Sequence, residues 1–214
     1  LPTRRLSSKI GFIVIDAKEH RLADLAAIRS GYPFRGALTE VHSGGVPVVQ
    51  MKDIDPALGV EWSGVLRAEL TGRKEPDWLH AHDVLFVPRG QRFFAACVSP
   101  PPDPAVCGPH LMHLRVRPGS SLVPAFLAWQ INQPPIQKQL RVAAEGTNQL
   151  SVRIAEIEAL NLALPPVEHQ LRIVALAEAA ARERHILSRL ILNREQELAA
   201  IAGELARAAG IDQA

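Results

Sequence analysis

Apolar positions follow two rhythms along this 214-residue chain, and the change between them comes at Pro165-Pro166. Ahead of that point the apolar runs are short and bounded by Gly, Pro or Ser. Val46–Met51, Asp83–Val87, Arg92–Val98 and His110–Val116 are such runs, and their β-branched and aromatic content predicts strands. Ser120-Ser121 followed by Leu122–Ile131 predicts a helix with a serine N-cap and a proline in its first turn. A second helical piece is expected from Ile136 to Ala144, between Pro134-Pro135 and Gly146. Ser151 is placed to cap a short helix through Ile157, and Ala159–Leu164 alternates into a last strand.

Beyond the prolines, the stretch from Val167 to Arg207 holds no Pro and a single glycine, Gly203. Apolar residues recur there at Ile173, Leu176, Ala180, Leu187, Ile191, Leu198, Ile201 and Leu205, spacings of three, four and seven that are helical. Forty residues of helix extend about 60 Å, more than one face of a small globule covers, so the pattern asks for a partner helix in coiled-coil fashion. The competing arrangement breaks the helix near Arg182-Glu-Arg-His185 and folds it back on its own domain. The predicted fold class is α+β: a mixed globule of short strands over residues 1–166, then a long helix over 167–214 that coils with a partner helix.

At 47% hydrophobic residues the chain can bury one real core. No apolar run approaches the roughly 20 residues of a membrane span, and Leu1–Leu6 lack the pattern of a secretory signal. A cytoplasmic protein with no membrane association is therefore expected. The two cysteines, Cys97 and Cys107, are too few for a disulfide framework. A net charge of +2 hides an asymmetry. Residues 1–144 carry 17 Lys and Arg against 12 Asp and Glu, whereas residues 145–214 carry 7 against 10. The front is the half suited to a polyanion. Between Glu75 and Glu145 there is no Glu at all, while Arg89, Arg92, Arg115, Arg117, Lys138 and Arg141 fall in that span.

Residues that could run a reaction are scarce. The sequence has no Gly-rich loop ending in Gly-Lys-Ser/Thr and no dinucleotide fingerprint. Pro101-Pro102-Asp103-Pro104 has the wrong order for a base-amino methyltransferase, and Pro76-Asp77 lacks the following carboxylates of a metal-dependent nuclease. Cys97, Cys107, His110 and His113, with His80 and His82 nearby, offer zinc-type ligands, but the tight cysteine pair of a metal knuckle is missing. Cys97 and His113 are expected as ordinary strand residues, and His80 and His82 as solvated neighbours on one strand face. No metal and no catalytic residue is assigned.

Laid in order, these segments resemble one repeat of a type I restriction-modification DNA specificity subunit. The likeness covers about residues 20 to 200 and opens with Leu22-Ala-Asp-Leu-Ala-Ala-Ile-Arg-Ser-Gly31-Tyr-Pro-Phe. Gly45-Val-Pro-Val-Val-Gln-Met-Lys-Asp53-Ile and Leu79-His-Ala-His-Asp83-Val-Leu-Phe-Val-Pro-Arg-Gly90 follow. The most specific part is the succession Glu145-Gly-Thr-Asn-Gln-Leu150-Ser, then Leu162-Ala-Leu-Pro-Pro-Val-Glu-His-Gln170-Leu-Arg-Ile173, running into the long helix. Pro88-Arg89-Gly90 departs from the pattern, where a small hydroxyl residue is commoner before the glycine.

The resemblance implies a non-catalytic target-recognition globule that reads double-stranded DNA for a partner DNA methyltransferase, with S-adenosylmethionine bound by that partner. A further motor subunit would translocate and cleave. A usual subunit of this kind carries two repeats, so a single repeat implies a homodimer through the Val167–Arg207 helices, reading a palindromic bipartite target. Arg89, Gln91 and Arg92, around Gly90, are the expected base readers, and Arg35, Lys52, Arg73 and Lys74 the expected phosphate or base contacts. The rival function is a protein-interaction adaptor that works through its long helix alone.

Overall fold

The computed structural model describes residues 5–6, 15–72, 74–90, 92–144 and 150–209. The chain divides into two compact units, Leu1–Ala175 and Leu176–Ala214. The division falls inside the long helix, whose first turns belong with the globule. Strands β1 (Arg5–Leu6) and β2 (Ile15–Asp16) pair with each other, and β3 (Lys18–Arg21) leads through the single turn α1 (Leu22–Leu25) into β4 (Ala26–Ser30). Next come β5 (Val46–Val49), the small ribbon β6 (Ile54–Asp55) with β7 (Gly59–Val60), and β8 (Arg67–Ala68). The centre of the sequence supplies β9 (Val84–Val87), β10 (Phe94–Cys97), β11 (Val106–Cys107) and β12 (Met112–Val116). Helices α2 (Pro124–Ile131), α3 (Pro134–Ala143) and α4 (Ile154–Glu158) precede β13 (Asn161–Leu164) and the long α5 (Val167–Ala208).

The principal sheet has the order β10-β9-β12-β4 with every pairing antiparallel. Its strand β9 is buried along its whole length, which is why Val84-Leu-Phe-Val87 is a continuous apolar run rather than an alternating one. Successive side chains point to opposite faces. Val84 and Phe86 enter a core with Phe126, Leu127 and Ile131 of α2, Leu140 of α3 and Ile157 of α4. Leu85 and Val87 enter a second core with Val49, Cys107 and Leu111 on the other side. A three-stranded sheet, β11-β5-β8, covers that second side, with β11 parallel to β5.

Several local expectations change. Helix α2 starts at Pro124 with Val123 as its N-cap, not at a serine: Ser120 Oγ instead accepts from Leu122 N at 3.2 Å. Ser151 caps nothing, because the 150–152 segment is drawn into pairing with Arg89; α4 is capped at Arg153, whose N donates to Glu156 at 2.9 Å. His80 and His82 sit in a turn rather than on a strand, His82 with φ 71°, so they share no strand face. Lys18–Arg21 join the globule too, since β3 pairs antiparallel with β13 from Lys18 opposite Leu164 to Arg21 opposite Asn161.

The long helix is unbroken across Arg182–His185, so the folded-back alternative does not occur. Its entry is fixed by Gln170, which is fully buried in the first unit. The Gln170 amide donates to Ser121 O at 3.0 Å and Pro165 O at 2.8 Å and accepts from Val123 N at 2.8 Å. Three backbone groups without helix or sheet partners are thereby satisfied by one side chain. Among the described residues, no helix is long and apolar enough to cross a membrane.

Candidate nucleic-acid interface

Antiparallel pairing of β4 and β9 on either side of β12 makes β4 and β9 run the same way. Met112 stands opposite both Ser30 and Phe86. One end of the sheet therefore receives the chain leaving β4 toward Arg35, the chain leaving β9 toward Arg89 and Arg92, and the chain entering β12. The opposite end receives Val116 and Ala26, and beyond them the Ser121–Val123 segment held by Gln170.

Close backbone contact builds the first end. Gly31 N donates to Leu111 O at 3.0 Å and Tyr32 N to Cys107 O at 2.7 Å. A Cβ on Gly31 would lie 1.8 Å from the carbonyl oxygen of Gly108, so only glycine fits where these two segments cross. The Tyr32 hydroxyl then donates to Gly72 O at 3.0 Å, and Arg35 N donates to Thr71 Oγ1 at 3.2 Å. These bonds bring the exposed Arg35 and the exposed Lys74, far apart in sequence, onto neighbouring loops. Lys52 lies exposed beside an open hollow of about 460 Å³ that it shares with Phe34, Gly36 and His110. Arg73 and Gln91 lie outside the described residues.

The β9–β10 connection is more constrained than a free loop. Gly90 has φ 113°, and its N donates to Leu150 O at 3.2 Å, while Val152 N donates to Pro88 O at 2.9 Å. Arg89 is consequently half-buried, with its Nε out of solvent and without a hydrogen-bond partner among the described residues. Arg92 is exposed and borders a hollow of about 800 Å³ together with Phe93, Asn132, Gln137, Lys138 and Arg141. Sequence reasoning does not single out Lys138 and Arg141 as contacts, although their signal is present, three residues apart on one face of α3.

Among the described residues, Arg35, Lys74, Arg89, Arg92, Lys138 and Arg141 have no ion-pair partner within 4.0 Å. Lys52 reaches Asp53 at only 4.0 Å.

Beneath the Tyr32–Lys74 region lies a contrasting cluster. Arg115 grips Asp83 with two bonds, Nε to Oδ1 at 2.8 Å and Nη2 to Oδ2 at 2.7 Å, and also donates to Trp78 O. The buried His113 has Nε2 at 2.8 Å from Asp83, and its Nδ1 faces Asp77 at 3.6 Å. Arg29 closes the group on Asp77 at 2.8 Å. Burial alone would raise the Asp83 carboxyl, but hydrogen bonds from Arg115, His113 and the His80 backbone outweigh it and hold the group well below the usual carboxylate range. Burial pushes the Cys107 thiol up, with the charges of Asp77 and Asp83 adding to it, so it is not a reactive thiolate. Among the described residues, no three His, Cys, Asp or Glu side chains converge as metal ligands. The Cys97, Cys107, His110, His113, His80 and His82 set thus does not come together as one group.

No family model and no curated protein matches the sequence. Solved structures do match the fold. A chain from a study of complex assembly and conformational transition in the type I R-M system aligns with a TM-score of 0.65 at 19% identity, over 91% of this chain and 46% of that one. The HsdS subunit from Thermoanaerobacter tengcongensis aligns at 0.58 and 19% identity, over 81% and 39%. The type I restriction-modification S subunit from M. genitalium aligns at 0.54 and 15% identity, over 91% and 46%. The chain spans less than half the length of each of these solved chains. Its fold is theirs, including the globule of short sheets and the long C-terminal helix.

Proposed function

We propose that this chain is a DNA specificity subunit of a type I restriction-modification system, carrying one recognition globule. One observation carries the reading: on a fold shared with S subunits, six cations without ion-pair partners among the described residues gather around a single end of the main sheet. A protein end with that charge suits a phosphodiester backbone. Arg89 and Arg92, with Gln91, contact base edges; Arg35, Lys52, Arg73 and Lys74 hold phosphates, joined by Lys138 and Arg141. The subunit itself is non-catalytic. Methyl transfer, with S-adenosylmethionine and the flipped base, belongs to a partner methyltransferase, and translocation and cleavage to a motor subunit. Two copies of the chain pair through α5, so that two globules read a bipartite, palindromic target.

Affinity capture of the tagged chain from its source lysate tests this directly. A stoichiometric DNA methyltransferase is the expected companion; reproducible capture of other proteins with no methyltransferase would leave the adaptor reading in its place. Replacing Arg89 and Arg92 by Ala should abolish sequence preference in a DNA-binding assay, and an unchanged preference would exclude them as base readers.

A further inference from the structure

Three loops enclose the open hollow beside Lys52: 34–38 after β4, 50–52 after β5 and 108–111 ahead of β12. Backbone bonds tie them to one another. Gly31 N reaches Leu111 O, and Gly108 N donates to Val49 O at 2.8 Å, an oxygen from which a Cβ on Gly108 would lie 2.8 Å. The walls are therefore preformed. The volume of about 460 Å³ falls within the range of about 300–1,000 Å³ typical of sites that hold small molecules. Phe34, Leu38, Met51 and Leu111 make the lining mostly apolar, and none of the lining residues is acidic. Phe34 is half-buried, and its ring meets Tyr32 edge-to-face with centroids 4.9 Å apart. Since the Tyr32 hydroxyl is itself bonded to Gly72, the Phe34 ring is a supported aromatic wall.

Polar groups are few and placed at the margin. The Gln50 side-chain oxygen accepts from the Asp53 backbone, while its amide nitrogen donates to nothing among the described residues. Lys52 and His110 are exposed at the rim, and Arg35 is exposed in the same loop as Phe34. An apolar, aromatic hollow edged by cations suits one nucleotide, with a flat base inside and a phosphate outside. A base still stacked in a duplex offers only its edge, within a concave groove, and does not enter a hollow. The occupant must be extruded. We infer that this hollow takes a single unstacked nucleotide of the bound DNA, its base against Phe34 and Met51 within reach of the Gln50 amide, its phosphate at Lys52 and Arg35.

This rests on the DNA-reading function proposed above and adds to it a local opening of the duplex. Unstacking costs least where a base is already unpaired, so a bulged base is the sharpest probe. Fluorescence anisotropy compares the full chain on a perfect duplex and on the same duplex with one bulged thymine. The bulged duplex should bind about tenfold more tightly, in line with the stacking of one base on an aromatic ring. Phe34→Leu keeps an apolar side chain and removes the aromatic face, and Met51→Ala shortens a second wall at an exposed position. Each should cut the advantage to about twofold and leave affinity for the perfect duplex within a few-fold of wild type. Far-UV circular dichroism verifies that each variant is folded.

Position is read by photo-cross-linking. With 5-iodouracil in place of the bulged thymine, the cross-linked peptide should carry Phe34, Met51 or His110. Equal affinity for the two duplexes, or cross-links confined to other segments such as α3, would overturn the inference and leave the DNA reader standing. So would a bulge advantage that both variants keep, which would belong to the flexibility of the duplex. Saturable binding of free thymidine monophosphate with no bulge advantage would also overturn it, by making the hollow a small-molecule site. A chain that binds neither duplex would remove the reader itself.

Discussion

Two groups of cations in the globule are built on opposite terms. Arg115 is engaged on the buried Asp83, and the exposed Arg29 is paired with Asp77. Arg35, Lys74, Arg92, Lys138 and Arg141 face solvent with no such partner among the described residues. The first group already has carboxylate partners within the chain; the second contributes little to the fold and is open to a ligand. Counting Lys and Arg along the sequence treats them alike, yet only their positions across strands and loops tell which charges have partners within the chain.

The largest expected effect that would sharpen this contrast is on stability. Arg115→Met strands Asp83 as a buried carboxylate without its bidentate partner, and should cost about 3 kcal/mol in urea unfolding. DNA affinity of the folded fraction should stay within a few-fold of wild type; a large, selective loss of binding would break the distinction. The complementary change, Arg92, Lys138 and Arg141 all to Ala, should leave the unfolding free energy within about 0.5 kcal/mol per site. It should lower affinity for any duplex, and the slope of log Kobs against log salt should become shallower by about 0.9 for each phosphate that is no longer neutralised. An unaltered slope in anisotropy titrations would take α3 out of the interface.

Acid should act on the internal group. Asp83 is held below its unfolded-state range, so its contribution is fully present above that range and is lost as pH falls toward the folded-state value. Stability should decline as pH falls below about 5 and go on declining below about pH 3, and Asp83→Asn should flatten that decline in pH-dependent thermal melts. A melt profile of Asp83→Asn as steep as wild type would assign the acid sensitivity elsewhere. The smallest effect is expected at Lys52, exposed and at the limit of reach from Asp53. Lys52→Ala should change stability by less than about 0.5 kcal/mol and DNA affinity by less than a few-fold.

What is legible in the sequence follows from the range of the interactions involved. Helix α5 can be read there because forty residues without Pro keep one period, and β9 because a strand buried on both faces reads as an apolar run. Two-residue strands such as β6, β7, β8 and β11 carry no period to detect. His80-Ala-His82-Asp83 imitates strand alternation, but Asp83 accepts from His80 N at 2.7 Å and closes a turn. Ser151 has the chemistry of a cap and yields that role to a long-range pairing with Arg89. The Asp83–His113–Arg115 cluster joins residues some thirty positions apart through strand register, which no local window contains. In the same way, β3 cannot be assigned to the globule until its partner β13 is known.

The main sheet places its long loops and the anchorage of the long helix at opposite ends. The chain leaves β4 toward Arg35 and β9 toward Arg89 at one end, and Gln170 clamps the start of α5 at the other. Those loops could therefore be exchanged as cassettes, provided the Gly31–Gly108 crossing is kept. The mounting of the helix would not register the exchange. A protein built this way can change the surface it offers at one end while the other end stays as it is.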